Sequence, residues 1–171
     1  LADMLVKKYC DHLPLYRQSE MLSREGIVIS RQILSQWTLR SAFALKPLKD
    51  LMMKIILESG NIFIDETPIG LQEPGKGKIQ QGYMWVMVGG ETPAPYYRVY
   101  EFYRDRKDNN AAKLLKGYNR VLHSDKYGGY EMLARQKQFI WCPCYAHIRR
   151  KFVDAEAGDP EFRNWVLRKI R

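Results

Sequence analysis

The feature that most constrains the fold is a series of short apolar runs, each about as long as a buried strand. The series begins at Ile62-Phe63-Ile64 and continues with the segments 83–88, 97–103, 121–124 and 138–142. Apolar residues at helical spacing lie between the third and fourth runs and between the fourth and fifth, and a further helical segment follows the fifth run. This order predicts an α/β fold with a mixed sheet of about five strands flanked by helices.

The first 58 residues show helical spacing and form a separate region in our interpretation. Gly26 is a plausible turn, and Ser30 is expected to cap a helix that carries Leu34 and Trp37 on one face. Pro47 is expected to begin a further helix. Helix, glycine-containing turn and helix is the outline of a helix-turn-helix, and a plain helical subdomain is the alternative. We therefore divide the chain into a helical region, 1–58, and an α/β core, 59–171.

Net charge points to a polyanionic partner. The 171 residues include 28 Lys+Arg and 19 Asp+Glu, which gives a formal net charge of +9. The excess is densest near the C-terminus, where Arg149-Arg150-Lys151 stand in a row. Contacts of this kind to phosphate supply affinity for nucleic acid without sequence information. No apolar run approaches the roughly 20 residues of a membrane span, so we expect no membrane partner.

The cysteines and the start of the chain indicate a cytoplasmic location. Three cysteines are too few and too odd in number for a disulfide framework. No basic and then apolar leader follows Leu1, so nothing marks the chain for secretion. Because it begins without Met, we expect it to be a piece of a longer protein.

Two acidic residues stand at the ends of apolar runs. Asp65 follows Ile64, and Asp125 follows Ser124. If these two strands are parallel neighbours, their carboxylates converge at one edge of the sheet, where ligands bind in α/β folds. Two close carboxylates repel unless a cation lies between them, and Mg²⁺ prefers such oxygen ligands. A single Asp at a strand end is more often a turn or cap residue, so the pair carries the metal hypothesis.

The order of strands and helices is that of a ribonuclease-H-like domain, and several motifs support a specific resemblance. They follow one another in the order Asp65-Glu66-Thr67-Pro68, Gly75-Lys76-Gly77-Lys78, Gly82-Tyr83-Met84-Trp85, Ser124-Asp125-Lys126-Tyr127-Gly128-Gly129-Tyr130 and Cys144-Tyr145-Ala146-His147-Ile148-Arg149-Arg150-Lys151-Phe152. In this order the motifs resemble the DDE transposases of the insertion sequence 66 family. The segment 8–18 also resembles the region that precedes the catalytic core in that family.

The resemblance implies metal-dependent phosphodiester hydrolysis and strand transfer during transposition of an insertion sequence. It makes Asp65 and Asp125 the first two acids of the catalytic triad, binding Mg²⁺ or Mn²⁺. It also implies DNA as partner, both element ends and target, with a possible homodimer in a bacterial, nucleoid-associated setting. The third acid of the family is a Glu in an Asn-Asn-x-x-Glu-Arg context, which this chain lacks. We therefore expect a core without its C-terminal part, inactive alone.

Other residues have alternative interpretations. We expect the DNA backbone to be bound by Lys126, His147, Arg149, Arg150 and Lys151. If the acids are vestigial, the chain is instead a non-catalytic DNA-binding or assembly module. Cys142, Cys144 and His147 have the ligand chemistry of zinc, but no fourth ligand is evident. For Glu66 we favour a structural role over metal binding, because adjacent strand residues face opposite sides of the sheet.

Overall fold

A computed structural model describes residues 1–90, 96–136, 138–155 and 158–170. The chain divides into two compact units, Leu1–Asp50 and Leu51–Arg171. The predicted domain boundary after residue 58 coincides with the end of the helix Arg31–Glu58, whereas the division into compact units falls inside that helix. Each unit is described separately below.

The first unit is helical. It contains α1 (Ala2–Tyr9), α2 (Leu15–Arg24) and the beginning of α3 (Arg31–Glu58). Its buried side chains include Met4, Leu34 and Gln18. The Gln18 amide satisfies its burial by donating to the carbonyl oxygens of Met4, at 3.3 Å, and Leu13, at 3.0 Å.

The turn and the cap that the sequence predicts before α3 are both confirmed, but the predicted break at Pro47 is wrong. Gly26 has φ +81°, a conformation that favours glycine. The backbone N–H of Ile33 donates to Ser30 Oγ at 3.4 Å. Pro47 lies inside α3, which continues to Glu58. A proline removes one backbone hydrogen bond and strains the preceding turn, and here that cost does not end the helix.

The second unit contains a five-stranded mixed sheet, as predicted. Its strands are β1 (Asn61–Gln72), β2 (Ile79–Gly89), β3 (Tyr97–Tyr103), β4 (Val121–Ser124) and β5 (Ile140–Pro143). They lie in the order β3-β2-β1-β4-β5. The first three strands form antiparallel pairs, whereas β1 pairs in parallel with β4, and β4 with β5. β1 is therefore the strand at which the sheet changes from antiparallel to parallel.

Helices connect and follow the later strands. They are α4 (Asp108–Leu114), α5 (Gly128–Arg135), α6 (Tyr145–Asp154) and α7 (Pro160–Lys169). The sequence prediction did not include α7, although its start carries a strong signal. Asp159 caps it by accepting hydrogen bonds from the backbone N–H groups of Glu161 and Phe162, and Pro160 occupies the first turn. Among the described residues, no helix has the length and apolar character needed to cross a membrane.

The buried core of the second unit lies on one face of the sheet. Along β1, burial alternates, with Ile62, Ile64 and Glu66 buried and the intervening residues more exposed. This is the period of two expected of a strand with one covered face. The buried face of the other strands and the helices packed on it contribute Ile56, Trp85, Met87, Val99, Ala111, Leu114, Leu115, Tyr118, Leu122, Tyr130, Leu133 and Phe139.

The opposite face, which we call the exposed sheet face, carries large apolar side chains in contact with solvent. Strand register places Phe63, Tyr100, Phe102 and Ile140 on it. These four residues are 41–65% exposed. Phe63 stacks on His123 of the neighbouring parallel strand, with ring centroids 4.6 Å apart. Asp65 belongs to this face by the same alternation.

Candidate active site beside two parallel strands

The pairing of β1 with β4 places the two predicted acids. Phe63 lies opposite His123 in the parallel register. Two residues further along the chain come Asp65 and Asp125. Asp125 directly follows β4, as predicted, but Asp65 does not end its strand, because β1 continues to Gln72 in pairing with β2. The predicted parallel arrangement of these two strands is therefore confirmed.

Each acid has a defined environment. Asp65 is half-exposed, and its Oδ1 accepts a hydrogen bond from the Glu66 backbone N–H at 3.0 Å. Asp125 is more enclosed, and its Oδ1 accepts from the Tyr127 backbone N–H at 3.0 Å. The second oxygen of Asp125 lies 3.2 Å from Nη2 of Arg106. Both carboxylates are thus oriented by the protein and still reach solvent.

Arg106, which follows β3, connects two acidic side chains. Its Nε donates to Glu66 Oε1 at 2.6 Å, and its Nη2 contacts both Glu66 and Asp125. The guanidinium carbon lies 4.3 Å from the ring centroid of Tyr127, a cation–π distance. Partial burial lowers the pKa of Arg106, but its interactions with Glu66 and Asp125 outweigh that effect and raise it. Arg106 is therefore a fixed cation at this site.

Glu66 is the buried end of the same network. Its side chain is 0% exposed, and its Oε2 accepts a hydrogen bond from the Tyr130 hydroxyl at 2.7 Å. Burial raises the pKa of Glu66, while the hydrogen bonds from Tyr130 and Arg106 act in the opposite direction. Burial and the neighbouring Glu66 carboxylate raise the pKa of Tyr130, so its hydroxyl stays protonated and donates. The structural role predicted for Glu66 agrees with these contacts.

A cleft of about 460 Å³ opens beside Asp125. Its polar lining is mainly cationic, with Arg106, Lys126, Arg150 and Lys151 on its walls together with His147. Asp154 lies at the same wall. Asp65 lies next to this cleft, since its Oδ2 is 3.9 Å from Nε2 of His147. A cleft in which basic side chains surround a carboxylate suits a phosphate group and a divalent ion together.

Four of the five predicted DNA-binding residues share this cleft, and the fifth does not. Lys126, His147, Arg150 and Lys151 line it. The exception is Arg149, whose Nε donates to the carbonyl oxygen of Ile170 at 3.1 Å. Successive helical residues point in different directions, so α6 presents only part of its basic run to the cleft.

The zinc hypothesis loses its support. Within the described residues, no group of three or more His, Cys, Asp and Glu side chains is arranged to hold a metal ion. Cys142, Cys144 and His147 thus form no zinc site, and both cysteines are free thiols. For Mg²⁺ the test is less demanding, because this ion is commonly bound by one or two carboxylates with waters and substrate phosphates. Asp65 and Asp125 fit that pattern.

Sequence reasoning missed two residues that contact the acidic side chains of the site, Arg106, which pairs with Glu66 and Asp125, and Tyr130, which hydrogen-bonds Glu66. Arg106 lies in the loop between β3 and α4, where several charged residues stand together and none is distinguished by spacing. Tyr130 lay within the motif around Asp125, but its hydroxyl contact with Glu66 spans 64 positions of sequence. Neither contact has a local signal that could have identified it.

Comparison with known proteins gives one family model and several relatives that match most or all of the chain. The family model described as Transposase IS66 family matches residues 1–171. Three uncharacterized proteins of Sinorhizobium fredii (strain NBRC 101917 / NGR234) are also similar. The protein y4qI is 33% identical, and the match covers 90% of this chain and 31% of y4qI. The protein y4jD is 34% identical, and the match covers 94% of this chain and 34% of y4jD. The protein y4hP is 32% identical, and the match covers 90% of this chain and 29% of y4hP. The chain therefore spans about a third of the length of these relatives. Since the family model covers the whole of it, the chain belongs to the IS66 family of transposases.

Proposed function

We propose that this chain forms the part of a DDE transposase core that carries the first two catalytic acids, Asp65 and Asp125. The observation that carries the proposal is the parallel pairing of β1 with β4, in which Phe63 lies opposite His123, two residues before each of these acids. The strand order, three antiparallel strands continued by two parallel ones, supports a ribonuclease-H-like fold. Family membership supports DNA as the partner.

Asp65 and Asp125 are the residues that would hold Mg²⁺ or Mn²⁺. When bound there, a divalent ion would polarise the phosphate and activate the attacking oxygen. Asp125, in the lining of the cleft, and Asp65, beside it, supply negative charge and oxygen donors, while most other polar side chains of the lining are cationic. Removing either carboxylate would leave that cleft without the charge balance that a divalent ion needs.

The basic lining would bind the DNA backbone. Lys126, Arg150 and Lys151 present ammonium and guanidinium groups to the cleft, where they can pair with phosphate oxygens. His147 belongs to this lining and its Nε2 lies 3.9 Å from Asp65 Oδ2, so its imidazole can hydrogen-bond a phosphate beside the acid. In the intact protein, hydrolysis at an element end would free a 3′ hydroxyl. That hydroxyl would attack target DNA in line, without a covalent protein intermediate.

The proposed activity belongs to the intact protein. No Asn-Asn-x-x-Glu-Arg segment occurs in this chain, so the third acid of the triad has no counterpart in it. We therefore expect the chain alone to bind Mn²⁺ and DNA without cleaving DNA. Pairing of two copies in a transposition complex, within the bacterial nucleoid, completes the proposal.

Binding of Mn²⁺ alone tests the two-acid site. We expect the chain to bind Mn²⁺, measured by the electron paramagnetic resonance signal of the free ion. Asp65→Asn and Asp125→Asn should each weaken binding by about tenfold or more, because each removes an anionic oxygen ligand. Asp154→Asn is the matched control, since Asp154 lines the same cleft and is not a proposed ligand.

The result separates the enzyme from the alternative. Equal Mn²⁺ binding by the wild type, Asp65→Asn and Asp125→Asn would contradict the metal site. If DNA binding were also unchanged in these variants, the chain would act as a non-catalytic DNA-binding or assembly module.

A further inference from the structure

We propose that Glu66 and Arg106 are positioning residues that hold the Asp125 carboxylate in the orientation needed for Mg²⁺ or Mn²⁺. The inference rests on the proposed function, because it concerns the same two-acid site. It assigns a purpose to an ion pair whose Glu66 carboxylate is buried and whose Arg106 guanidinium reaches the wall of the cleft, and which does not itself bind the proposed metal.

The chain of contacts begins in the core. Glu66 is on the buried face of β1, one residue after Asp65 and on the opposite side of the strand. Both of its carboxylate oxygens are engaged, Oε1 by Arg106 and Oε2 by the Tyr130 hydroxyl at 2.7 Å. Tyr130 is itself fully buried and packs edge to face against Trp85. Glu66 is thereby a rigid anchor for whatever it binds.

The contacts continue from the anchor to the acid. The guanidinium of Arg106 uses Nε and Nη2 on Glu66 and the same Nη2 on Asp125, at 3.2 Å. The ring of Tyr127 lies against this guanidinium, and the Tyr127 hydroxyl donates to the Arg106 backbone carbonyl. Planar donors in a fixed fork can satisfy two carboxylates at once, whereas a lysine ammonium is a point charge on a flexible stem. Arginine is thus required to connect Glu66 with Asp125.

Fixing one carboxylate matters more for some cations than for others. Mg²⁺ and Mn²⁺ demand near-octahedral oxygen geometry at short distances, whereas Ca²⁺ accepts irregular coordination with six to eight ligands. Loosening Asp125 should therefore weaken Mn²⁺ binding selectively. A change in charge alone would weaken the binding of both divalent ions by a similar factor. The ratio of Mn²⁺ to Ca²⁺ affinity separates positioning from electrostatics.

Arg106→Lys is the decisive variant, because it keeps the charge and removes the fork. We expect its dissociation constant for Mn²⁺ to rise by about tenfold, a typical effect of losing a group behind a metal ligand. Its dissociation constant for Ca²⁺, measured by competition, should change by less than about twofold. Arg104→Lys is the matched control, since Arg104 stands two residues earlier, is 74% exposed and pairs with Glu73.

Glu66→Gln is a second test that keeps side-chain shape. It should lower the Mn²⁺ to Ca²⁺ affinity ratio in the same direction while the far-ultraviolet circular dichroism stays unchanged. An unchanged Mn²⁺ to Ca²⁺ affinity ratio in both folded variants would overturn the inference. Equal weakening of Mn²⁺ and Ca²⁺ binding would overturn it as well.

A double-mutant cycle distinguishes failure of the inference from failure of the proposed function. If wild-type Mn²⁺ binding does not depend on Asp125, the proposed function fails. The link itself is then judged by unfolding free energies of Glu66→Gln, Asp125→Asn and the double variant. Additive effects would contradict a connection through Arg106, whereas a non-additive result would support it.

Discussion

Replacing Trp85 by Ala is expected to lower the free energy of unfolding by about 3–5 kcal/mol, the usual cost of removing a large core aromatic side chain. Trp85 is 1% exposed and sits at the centre of the buried sheet face. Its ring meets Tyr103, Tyr127 and Tyr130 edge to face, with centroids 6.1–6.4 Å apart. For a domain with a typical stability of about 5–15 kcal/mol, such a loss removes a large share of the margin.

Urea unfolding followed by circular dichroism measures this effect. Trp165→Ala is the control, because Trp165 lies on α7, is 52% exposed and stacks on Phe162. That variant should change the unfolding free energy by less than about 1 kcal/mol. A similar decrease in the free energy of unfolding in the two variants would show that Trp85 is not the centre of the core. Because Trp85 contacts Tyr127 and Tyr130, its loss should also loosen the backbone that holds Asp125.

Replacing Arg150 and Lys151 together by Ala is expected to weaken binding of double-stranded DNA by about 100-fold at low salt. Each side chain lines the cleft and is exposed, so each can make a charge-assisted phosphate contact. Loss of such a contact costs about 1.5 kcal/mol or more, and about 1.4 kcal/mol corresponds to a factor of ten. The slope of log affinity against log salt should also become shallower by about 2, close to one unit for each contact.

Fluorescence anisotropy of a labelled duplex at several salt concentrations provides both quantities. The matched control is Arg149→Ala with Lys169→Ala, which removes two positive charges from the same C-terminal part of the chain. Arg149 is bonded to Ile170 rather than directed into the cleft. If the control pair weakens binding as much as the cleft pair, the cleft is not the DNA-binding surface and only net charge matters.

The five strands of the sheet could be predicted because their signals are local. Short apolar runs marked the strands, and each acid directly followed one of those runs. Parallel pairing of β1 and β4 was a condition of the metal hypothesis, and it depends on helical connections that the sequence also displayed. Both strands of the first hairpin nevertheless extend well beyond their apolar runs. β1 continues to Gln72, and β2 already begins at Ile79. Backbone pairing across this hairpin continues where side-chain hydrophobicity has already ended.

The remaining parts of the site depend on contacts that no short window of sequence contains. Arg106 reaches Glu66 across 40 positions and Asp125 across 19. Such a contact follows from the sheet order, which has to be known before the loop can be placed. Pro47 misled for a different reason, since its intrinsic cost is real but is outweighed within a 28-residue helix.

The exposed sheet face makes the colloidal stability of the isolated chain depend on ionic strength. Apolar side chains such as Phe63 and Ile140, open to water on this sheet, favour contact between copies. A net charge of +9 keeps the copies apart at long range. Dissolved salt limits that repulsion to about 10 Å at 0.1 M. High salt, which would release DNA bound as proposed above, should therefore also promote self-association of the chain.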